Sequence, residues 1–324
     1  MSLRRYHELL FLLIILSFFM IGFLGPKFWK IPQPIFNFKS IQYNFSNPIV
    51  SIDRLNQFYS NNNYLSSDQL NDKNVVFKWS TIILNFAKKD VPIPRMYFTY
   101  IPKNINQFKI NEKKSVFIAI LLPIALRGNE LVLEERKLMK IAFSKNNIYQ
   151  IERFSKKYKV KNFKKINFSN LNRLELKMLR IELLNKINSI PISLILAQSI
   201  IESGWGGSRF AQEGNALFGQ WTWKNDDGIK PKGNLDSNFS VKSFDSLLDS
   251  VNSYILNLNT HPAYKEFRNF RISQYNTGKK ITGIEMANFL DKYAEIGFEY
   301  VTKVKKMIKK NQLINYENSS LATF

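Results

Sequence analysis

One carboxylate in this sequence stands out because it ends an apolar run and is followed at once by glycines. Residues 197–210 read AQSIIESGWGGSRF, and Glu202 falls in the last turn of a helix predicted to begin near Ile192. Gly204 can end this helix in the left-handed conformation. The negative end of the helix dipole, with Trp205 beside it to exclude water, favours the protonated carboxyl group. Such a group suits general acid catalysis; an ordinary surface carboxylate with a local salt bridge is the equally weighted alternative.

A cluster of aromatic and amide side chains follows in GNALFGQWTW, residues 214–223. Exposed aromatic rings near an acid can stack on the apolar faces of sugar rings, and amides can hydrogen-bond hydroxyl and acetamido groups. The alternative is that the rings close the core, which we expect of Phe218 more than of Trp221 or Trp223. The side chains predicted to contact a sugar are Trp205, Asn215, Phe218, Gln220, Trp221 and Trp223.

The residue inventory narrows the chemistry further. The chain of 324 residues has no cysteine, so disulfides, thiolate zinc sites and cysteine nucleophiles are excluded. Of the two histidines, His7 and His261, neither lies in a short-range cluster of metal ligands. The sequence Thr260-His261-Pro262 is typical of a helix restart, with Thr260 as the cap and Pro262 in the first turn. We therefore expect neither a metal nor another cofactor.

Charge and targeting signals indicate where the protein works. Lysine and arginine number 47 against 25 acidic residues, a formal net charge of +22, which predicts association with a polyanion: nucleic acid, anionic lipid or an acidic envelope polymer. Residues 1–25, MSLRRYHELLFLLIILSFFMIGFLG, place two arginines before an apolar run. This pattern predicts a signal anchor or a signal peptide, with the body of the protein outside the cytoplasm. We favour the uncleaved anchor because the run has no small-x-small cleavage site.

The rest of the chain is predicted to be mainly α. Residues 26–74 form a spacer rich in Asn and Pro, and helical patterns cover most of residues 75–165 and 166–324. The run 116–126 is too short to cross a bilayer and contains Pro123, so we expect a kinked core helix. Pro191 should begin a second helix after the one from residue 171, and NFSVKSFDS predicts a strand of a small hairpin. Further helices are expected at 246–259, 262–269 and 283–310.

A longer stretch resembles a known family. Residues 191–221, PISLILAQSIIESGWGGSRFAQEGNALFGQW, join an Ala-Gln pair to Glu-Ser-x-Trp-Gly-x-Ser-Arg-Phe and then to Gly-Asn-x-Leu-Phe-Gly-Gln-Trp. This pattern resembles the glucosaminidase domains of glycoside hydrolase family 73, and in particular the bacterial Bax-type proteins. Further matches are LNLNTHPAYKEFR (256–268), YAEIGFEYVTKVKKMI (293–308), VPIPRMYFTYIP (91–102) and LLPIALRGNELVLEER (121–136).

The resemblance implies a lysozyme-like α domain with a small β-hairpin, and cleavage of the β-1,4 bond after N-acetylglucosamine in peptidoglycan. It makes residues 166–324 the catalytic domain and residues 75–165 the upstream region, and Glu202 takes the role of general acid. Tyr293 and Tyr300 stand at the positions of the family's paired tyrosines: Tyr293 is the second catalytic candidate, lining the cleft or supporting the transition state. Tyr300 is included with the substrate-contacting residues, although a packing role is more in keeping with its position.

A second catalytic carboxylate is not evident. Many family members carry an acid in a Thr-x-Glu context on the hairpin, whereas the acids available here are Asp226, Asp227 and Asp236. Inversion would need a second carboxylate about 6.5–9.5 Å from the first. In substrate assistance the 2-acetamido oxygen attacks the anomeric carbon instead. Both mechanisms stay open, with a slight preference for the second.

Three functions are consistent with these features. An envelope-anchored peptidoglycan hydrolase uses all of them, with glycan strands and the membrane as partners and no nucleic acid expected. A non-catalytic peptidoglycan-binding or scaffold protein would account for the missing second acid. A nucleic-acid-binding protein rests on charge alone.

Overall fold

The computed structural model describes residues 72–222, 228–230 and 240–322, and within these ranges the protein is mainly α-helical, as predicted. The upstream helices are α1 (Lys73–Lys88), α2 (Ile110–Ser144) and α3 (Ile148–Lys157). They are followed by α4 (Arg173–Lys186), α5 (Ile192–Ser203), α6 (Arg209–Gly214), α7 (Leu247–Thr260), α8 (Lys265–Asn276), α9 (Gly283–Met286) and α10 (Phe298–Lys310). Short 3₁₀ turns connect them at Ile105–Gln107, Phe163–Lys165, Phe168–Asn170, Pro262–Tyr264, Ala287–Phe289 and Leu313–Tyr316.

The β element is a three-stranded antiparallel sheet in the described residues, one strand more than the predicted hairpin. Its strands are β1 (Trp221–Thr222), β2 (Gly228–Ile229) and β3 (Ser240–Lys242), in the order β1-β3-β2. Val241 lies opposite both Trp221 and Ile229, so β3 is the central strand, and it lies within the predicted strand sequence. Residues 223–227 and 231–239, with Trp223, Asp226, Asp227 and Asp236, are outside the described residues.

Helix α5 is the centre of the fold. All its residues except Ile201 and Glu202 are buried, and it packs against α2, α9, α10 and the 3₁₀ turn Leu313–Tyr316. Its sequence ISLILAQSIIES is apolar on every side, which is typical of a helix surrounded by protein. It begins directly after Pro191, where the sequence predicted the helix start. Glu202, the one ionisable side chain of α5, lies at the end where the helix reaches the surface.

Helix α2 forms the wall behind α5. It is the one described helix long and apolar enough to cross a membrane, but 67% of its most apolar 18-residue window is buried inside the protein. The run 116–126 is buried throughout, Pro123 included, so its predicted position in the core is confirmed. The predicted anchor, residues 1–25, lies outside the described residues, and the boundary between 75–165 and 166–324 stays a prediction.

The sequence predicted one helix over residues 283–310, and this prediction is wrong. Helix α9 ends at Met286, the 3₁₀ turn Ala287–Phe289 follows, and α10 begins only at Phe298. Gly297 adopts φ 55° and ψ −122°, a conformation that a Cβ atom would strain, so the chain changes direction there. The turn between the two helices carries Tyr293.

The helix restart near residue 261 also differs in detail from its prediction. The imidazole Nδ1 of His261 accepts from the backbone N–H of Ala263, whereas the hydroxyl of Thr260 donates back to the carbonyl of Leu256 within α7. His261, and not Thr260, is therefore the cap. The predicted helix at 262–269 is a 3₁₀ turn, Pro262–Tyr264, that continues directly into α8.

Buried polar side chains hold the connection between α4 and α5. The guanidinium groups of Arg136 and Arg271 donate to main-chain carbonyls of this connection, at 2.6 Å for Arg136 to Ile187 and 3.1 Å for Arg271 to Ser189. Burial, with other arginines nearby, lowers the pKa of Arg271 to about 9. The amide of Asn129 pairs with both the N–H and the carbonyl of Ile190. The start of α5 is thus anchored by hydrogen bonds from α2 and α8.

Glu317 caps the first turn of α5 from a distant part of the sequence. The N-cap residue, Pro191, offers no side-chain hydrogen bond. Instead, the Glu317 carboxylate accepts from the backbone N–H of Ile192 at 3.0 Å and from the hydroxyl of Ser193. It also accepts from the backbone N–H of Gly283, at the start of α9, at 3.0 Å. One carboxylate therefore stabilises the N-termini of two helices, where the helix dipole favours negative charge.

We predict that Glu317→Ala lowers the free energy of unfolding by about 2–4 kcal/mol, because three donors lose a charged acceptor. Glu213→Ala is the matched control: it removes an exposed ion pair with Arg209 on α6 and should cost less than about 1 kcal/mol. Urea denaturation of both variants measures the difference. Equal losses would show that Glu317 does not act as a cap.

Candidate functional site

Helix α5 ends in a short left-handed turn that carries an aromatic ring. Gly204, Trp205 and Gly206 have φ values of 59°, 60° and 71°. Glycine adopts this conformation readily, but a bulky residue such as tryptophan does so at a cost of about 1–3 kcal/mol. The Trp205 ring is held edge-to-face by Phe117 of α2, with centroids 6.1 Å apart, and Lys114 Nζ lies 5.5 Å from its centre.

The glycine after Trp205 is required by a close approach as well as by its conformation. A Cβ atom on Gly206 would lie 2.9 Å from the Phe117 ring and 3.1 Å from Ile101. The Gly-Trp-Gly sequence thus lets the main chain pack closely against α2 while the indole of Trp205 stays partly exposed. Trp205, predicted to contact substrate and to desolvate Glu202, is partly buried beside the end of α5.

Glu202 is partly buried, and burial raises the pKa of its carboxyl group above the ordinary value of 4.5. Two contacts act in the opposite direction: the hydroxyl of Tyr300 donates to Oε1 at 2.7 Å, and Lys303 contributes positive charge. Desolvation is the largest of the three effects, so the pKa of Glu202 is raised overall. The direction agrees with the expectation for a general acid.

A chain of buried side chains supports this carboxyl group. Tyr254 donates to Oε1 of Gln198 at 2.6 Å, and Nε2 of Gln198 donates to the Tyr300 hydroxyl at 2.9 Å. Gln198 and Tyr254 are fully buried and Tyr300 is 2% exposed. Burial raises the pKa values of both tyrosines well above 10. Both therefore act as neutral hydrogen-bonding groups.

The second predicted catalytic residue, Tyr293, does not hydrogen-bond Glu202. Its hydroxyl donates to the carbonyl of Phe218 at 3.1 Å, and its ring stacks on Tyr300 with centroids 5.2 Å apart and planes 10° apart. Phe218 is buried and stacks on Tyr254 at 4.1 Å. These four rings pack behind the acid. Tyr300 is thus the tyrosine that touches Glu202, and Tyr293 lies one ring further away.

The remaining predicted sugar-contacting residues of the described chain lie between the end of α6 and the start of β1. Trp221, at the start of β1, is 53% exposed, as a stacking platform should be. Asn215 adopts φ 52° as the C-cap of α6, and its Nδ2 donates to the carbonyl of Phe244 at 3.0 Å. Among the described residues, Oδ1 of Asn215 and Oε1 of Gln220 are buried without a hydrogen-bond partner. Of the predicted set, Trp223 alone is outside the described residues.

Comparisons with known proteins agree on one family. A family model described as mannosyl-glycoprotein endo-beta-N-acetylglucosaminidase matches residues 179–313. Protein bax of Escherichia coli (strain K12) is 30% identical over 212 residues, which are 62% of this chain and 70% of that protein. No solved structure matches the chain significantly.

The chain belongs to the Bax-type glucosaminidase-domain proteins. The resemblance stated from the sequence is therefore confirmed, and at the level of the family the matched region is a glycosidase domain. The Bax-type domain here contains α5, the sheet and α7–α10, so Glu202 and the entire hydrogen-bonded chain behind it lie within the match. Phe117 and Lys114, which hold Trp205, lie in the upstream region outside it.

Two residues of the hydrogen-bonded chain behind Glu202 carried no predicted role. Gln198 belongs to the Ala-Gln pair of the motif, and the sequence does contain a signal for it: a long amide at i−4 from Glu202 shares its helix face in an otherwise apolar run. Tyr254 gives no such signal, because its partner is 56 residues away along the chain. Among the described residues, no group of three potential metal ligands is present.

We predict that Glu202→Gln is more stable than the wild type at neutral pH. Burial raises the pKa of Glu202 in the folded state above the ordinary value of 4.5. As the pH rises above 4.5, the carboxyl group ionises in the unfolded protein before it does so in the folded protein. The wild type therefore loses stability until the pH has passed the folded-state pKa. Glutamine keeps the shape and an acceptor for Tyr300 but carries no charge. Melting temperatures across pH 4–8 should therefore diverge with increasing pH. Parallel curves would mean that the Glu202 carboxylate is not penalised by burial.

Proposed function

We propose that this protein is a peptidoglycan hydrolase, an endo-β-N-acetylglucosaminidase that cleaves the β-1,4 bond after N-acetylglucosamine with Glu202 as general acid. The observation that carries the proposal is the state of Glu202 within the matched domain. It is the one ionisable side chain on a buried helix, its pKa is raised, and a buried tyrosine orients it. A proton donor to a leaving-group oxygen needs these properties.

The surroundings of Glu202 support a carbohydrate as substrate. Trp221 is an exposed ring two residues after Gly219, and a Cβ atom on Gly219 would lie 3.4 Å from Glu202 Oε2. The loop that passes over the acid therefore leads directly into an aromatic platform. Apolar faces of sugars stack on such rings. We assign sugar binding to Trp205, Asn215, Gln220, Trp221 and Trp223, with Tyr293 as the second catalytic candidate. The sequence also predicted sugar contacts for Phe218 and Tyr300, but each is 2% exposed and packs behind the acid, so neither can touch a sugar.

The attacking group is the open part of the mechanism. Of the described residues, no second carboxylate acts on the pKa of Glu202. This is compatible with substrate assistance, in which the 2-acetamido oxygen attacks. It is equally compatible with inversion by Asp226, Asp227 or Asp236, which lie outside the described residues.

We place the protein in the cell envelope, held at the inner membrane by residues 1–25 with its body in the periplasm. The basic composition, a net charge of +22, would draw the body to anionic lipid and to the acidic groups of the wall. The partners in this proposal are glycan strands and the membrane, with no cofactor and no nucleic acid.

A second candidate is a Bax-type protein that binds glycan strands without cleaving them. It is favoured by the single carboxylate of the described site, since turnover by inversion requires two. In this candidate the aromatic platform keeps its role, whereas Glu202 becomes a hydrogen-bonding group for the sugar. The two functions differ in their products, so one experiment separates them.

We predict that the full-length protein releases N-acetylglucosamine reducing ends from peptidoglycan and that Glu202→Gln lowers this rate by at least about 100-fold, because the proton donor is lost. Mass spectrometry of the released fragments identifies the ends, and exposed Glu213→Gln is the charge-matched control that should keep its rate. Anhydro ends would indicate transglycosylase chemistry. Binding of glycan by all three proteins without new ends would establish the binding protein.

We predict that Tyr300→Phe and Tyr293→Phe affect the pH–rate profile differently. Tyr300→Phe removes a hydrogen bond that lowers the pKa of Glu202, so the alkaline limb should move to higher pH and kcat should fall about tenfold. Tyr293→Phe removes a bond to the Phe218 carbonyl and should leave the position of the limb unchanged. The reverse pattern would make Tyr293 the tyrosine that acts on the acid.

A further inference from the structure

The hydrogen bonds behind Glu202 all run in one direction. Tyr254 donates to Gln198, Gln198 donates to Tyr300, and Tyr300 donates to Glu202, over distances of 2.6, 2.9 and 2.7 Å. Each link joins groups from different elements: α7, α5 and α10. The order of donors and acceptors determines where protons can reside in the site.

The orientation of the Gln198 amide decides what Tyr300 can do. A tyrosine hydroxyl has one proton, whereas an amide has a donor end and an acceptor end. With Oε1 accepting from Tyr254, Nε2 must face Tyr300 and can only donate to it. The single proton of Tyr300 is then left for Glu202. The opposite amide orientation would place Oε1 against Tyr300 and withdraw that proton from the acid.

Burial makes this orientation stable. Gln198 and Tyr254 are both 0% exposed, so water cannot replace either partner. The Tyr254 ring is held by its stack on Phe218 at 4.1 Å. A buried amide that lost its donor would leave an acceptor unsatisfied, which is costly in a dry interior. Tyr254 therefore fixes the orientation of the Gln198 amide and is called its lock below.

The same geometry distinguishes the two oxygens of Glu202. Oε1 accepts from Tyr300, so a proton on this carboxyl group is carried by Oε2. Oε2 is the atom nearest to the position where a Cβ of Gly219 would lie, at 3.4 Å. Gly219 has φ 58° and no side chain, and it leaves space over this oxygen where the glycosidic oxygen of a substrate can approach.

We propose that Gln198 and Tyr254 are positioning residues that hold the transferable proton of Glu202 on Oε2, facing Gly219. Neither touches the substrate; both act through Tyr300. The inference rests on the proposed function for its consequence in catalysis, but the placement of the proton concerns the protein alone. In this proposal the glycosidic bond is protonated by Oε2, on the side of the carboxyl group that faces the loop leading to Trp221.

Two substitutions test the proposal in the full-length protein. Gln198→Glu removes the Nε2 group that donates to Tyr300 and offers two acceptors, so the Tyr300 proton should turn to the introduced carboxylate. Tyr254→Phe removes the lock and frees the amide to turn its oxygen to Tyr300. Tyr264→Phe is the control, because this buried tyrosine lies near the same cluster, its ring centroid 6.3 Å from that of Tyr293, without a hydrogen bond in the chain.

The readouts are the pH–rate profile and the titration of the Glu202 carboxyl carbon by ¹³C NMR, assigned by its absence in Glu202→Gln. The titratable groups around Glu202 are Tyr300 and Lys303 of α10, Tyr254 of α7 and Tyr293. Both variants should shift the NMR midpoint and the alkaline limb to higher pH. kcat should fall about tenfold or more with a smaller change in KM, because a hydrogen bond to the acid is lost. Tyr264→Phe should shift neither.

The outcomes separate this inference from the proposed function. Unchanged midpoints in both folded variants, with a shifted midpoint in Tyr300→Phe, would overturn the positioning role of Gln198 and Tyr254. Should Gln198→Glu fail to fold, Tyr254→Phe alone decides by the same criterion. If the wild type cleaves no glycan but the midpoints shift as expected, the placement of the proton stands and the hydrolase proposal is overturned.

Discussion

The site depends on one constraint, the burial of helix α5 with an ionisable group at its end. A helix that is apolar on every side must be covered on every side, and α2, α9 and α10 do this. The last turn reaches the surface, and Glu202 is placed there in a partly desolvated position. A carboxyl group in such a place either stays protonated or needs donors. Both effects operate here, and their balance determines the chemistry of the site.

The two ends of α5 are held by different means, each suited to what the end must do. At the N-terminus, Glu317 accepts from a backbone N–H that the first turn leaves open, and the buried arginines donate to carbonyls of the connection that precedes the helix. At the C-terminus the chain turns through a left-handed segment in which Trp205 is strained and held by Phe117. The first end is held by hydrogen bonds, and the second places Trp205 beside Glu202.

Tertiary packing allows a buried tyrosine to change the pKa of the carboxyl group beside it. In water a phenol is a weak donor and acceptor among many, whereas in this interior Tyr300 has Gln198 and Glu202 as its partners. The break between α9 and α10 matters here, since the turn at 290–297 lets Tyr293 stack on Tyr300 while α10 begins a new direction. A single helix over 283–310 would not have allowed both.

Local patterns in the sequence predicted most of the helices, the end of α5 at Gly204, the position of Glu202 and the family, because these depend on short-range periodicity, on glycine conformation and on a dense motif. Other contacts join residues that are far apart in the sequence. Tyr300 lies 98 positions from Glu202, Tyr254 lies 56 positions from Gln198, and Glu317 lies 125 positions from Ile192. No short-range rule selects one tyrosine over another at such separations, since the choice follows from how helices pack. The sequence by itself singled out Glu202 as the candidate acid, because one carboxylate at the end of an apolar helix is a local pattern; the tertiary structure decided which groups surround it, because those groups come from other helices.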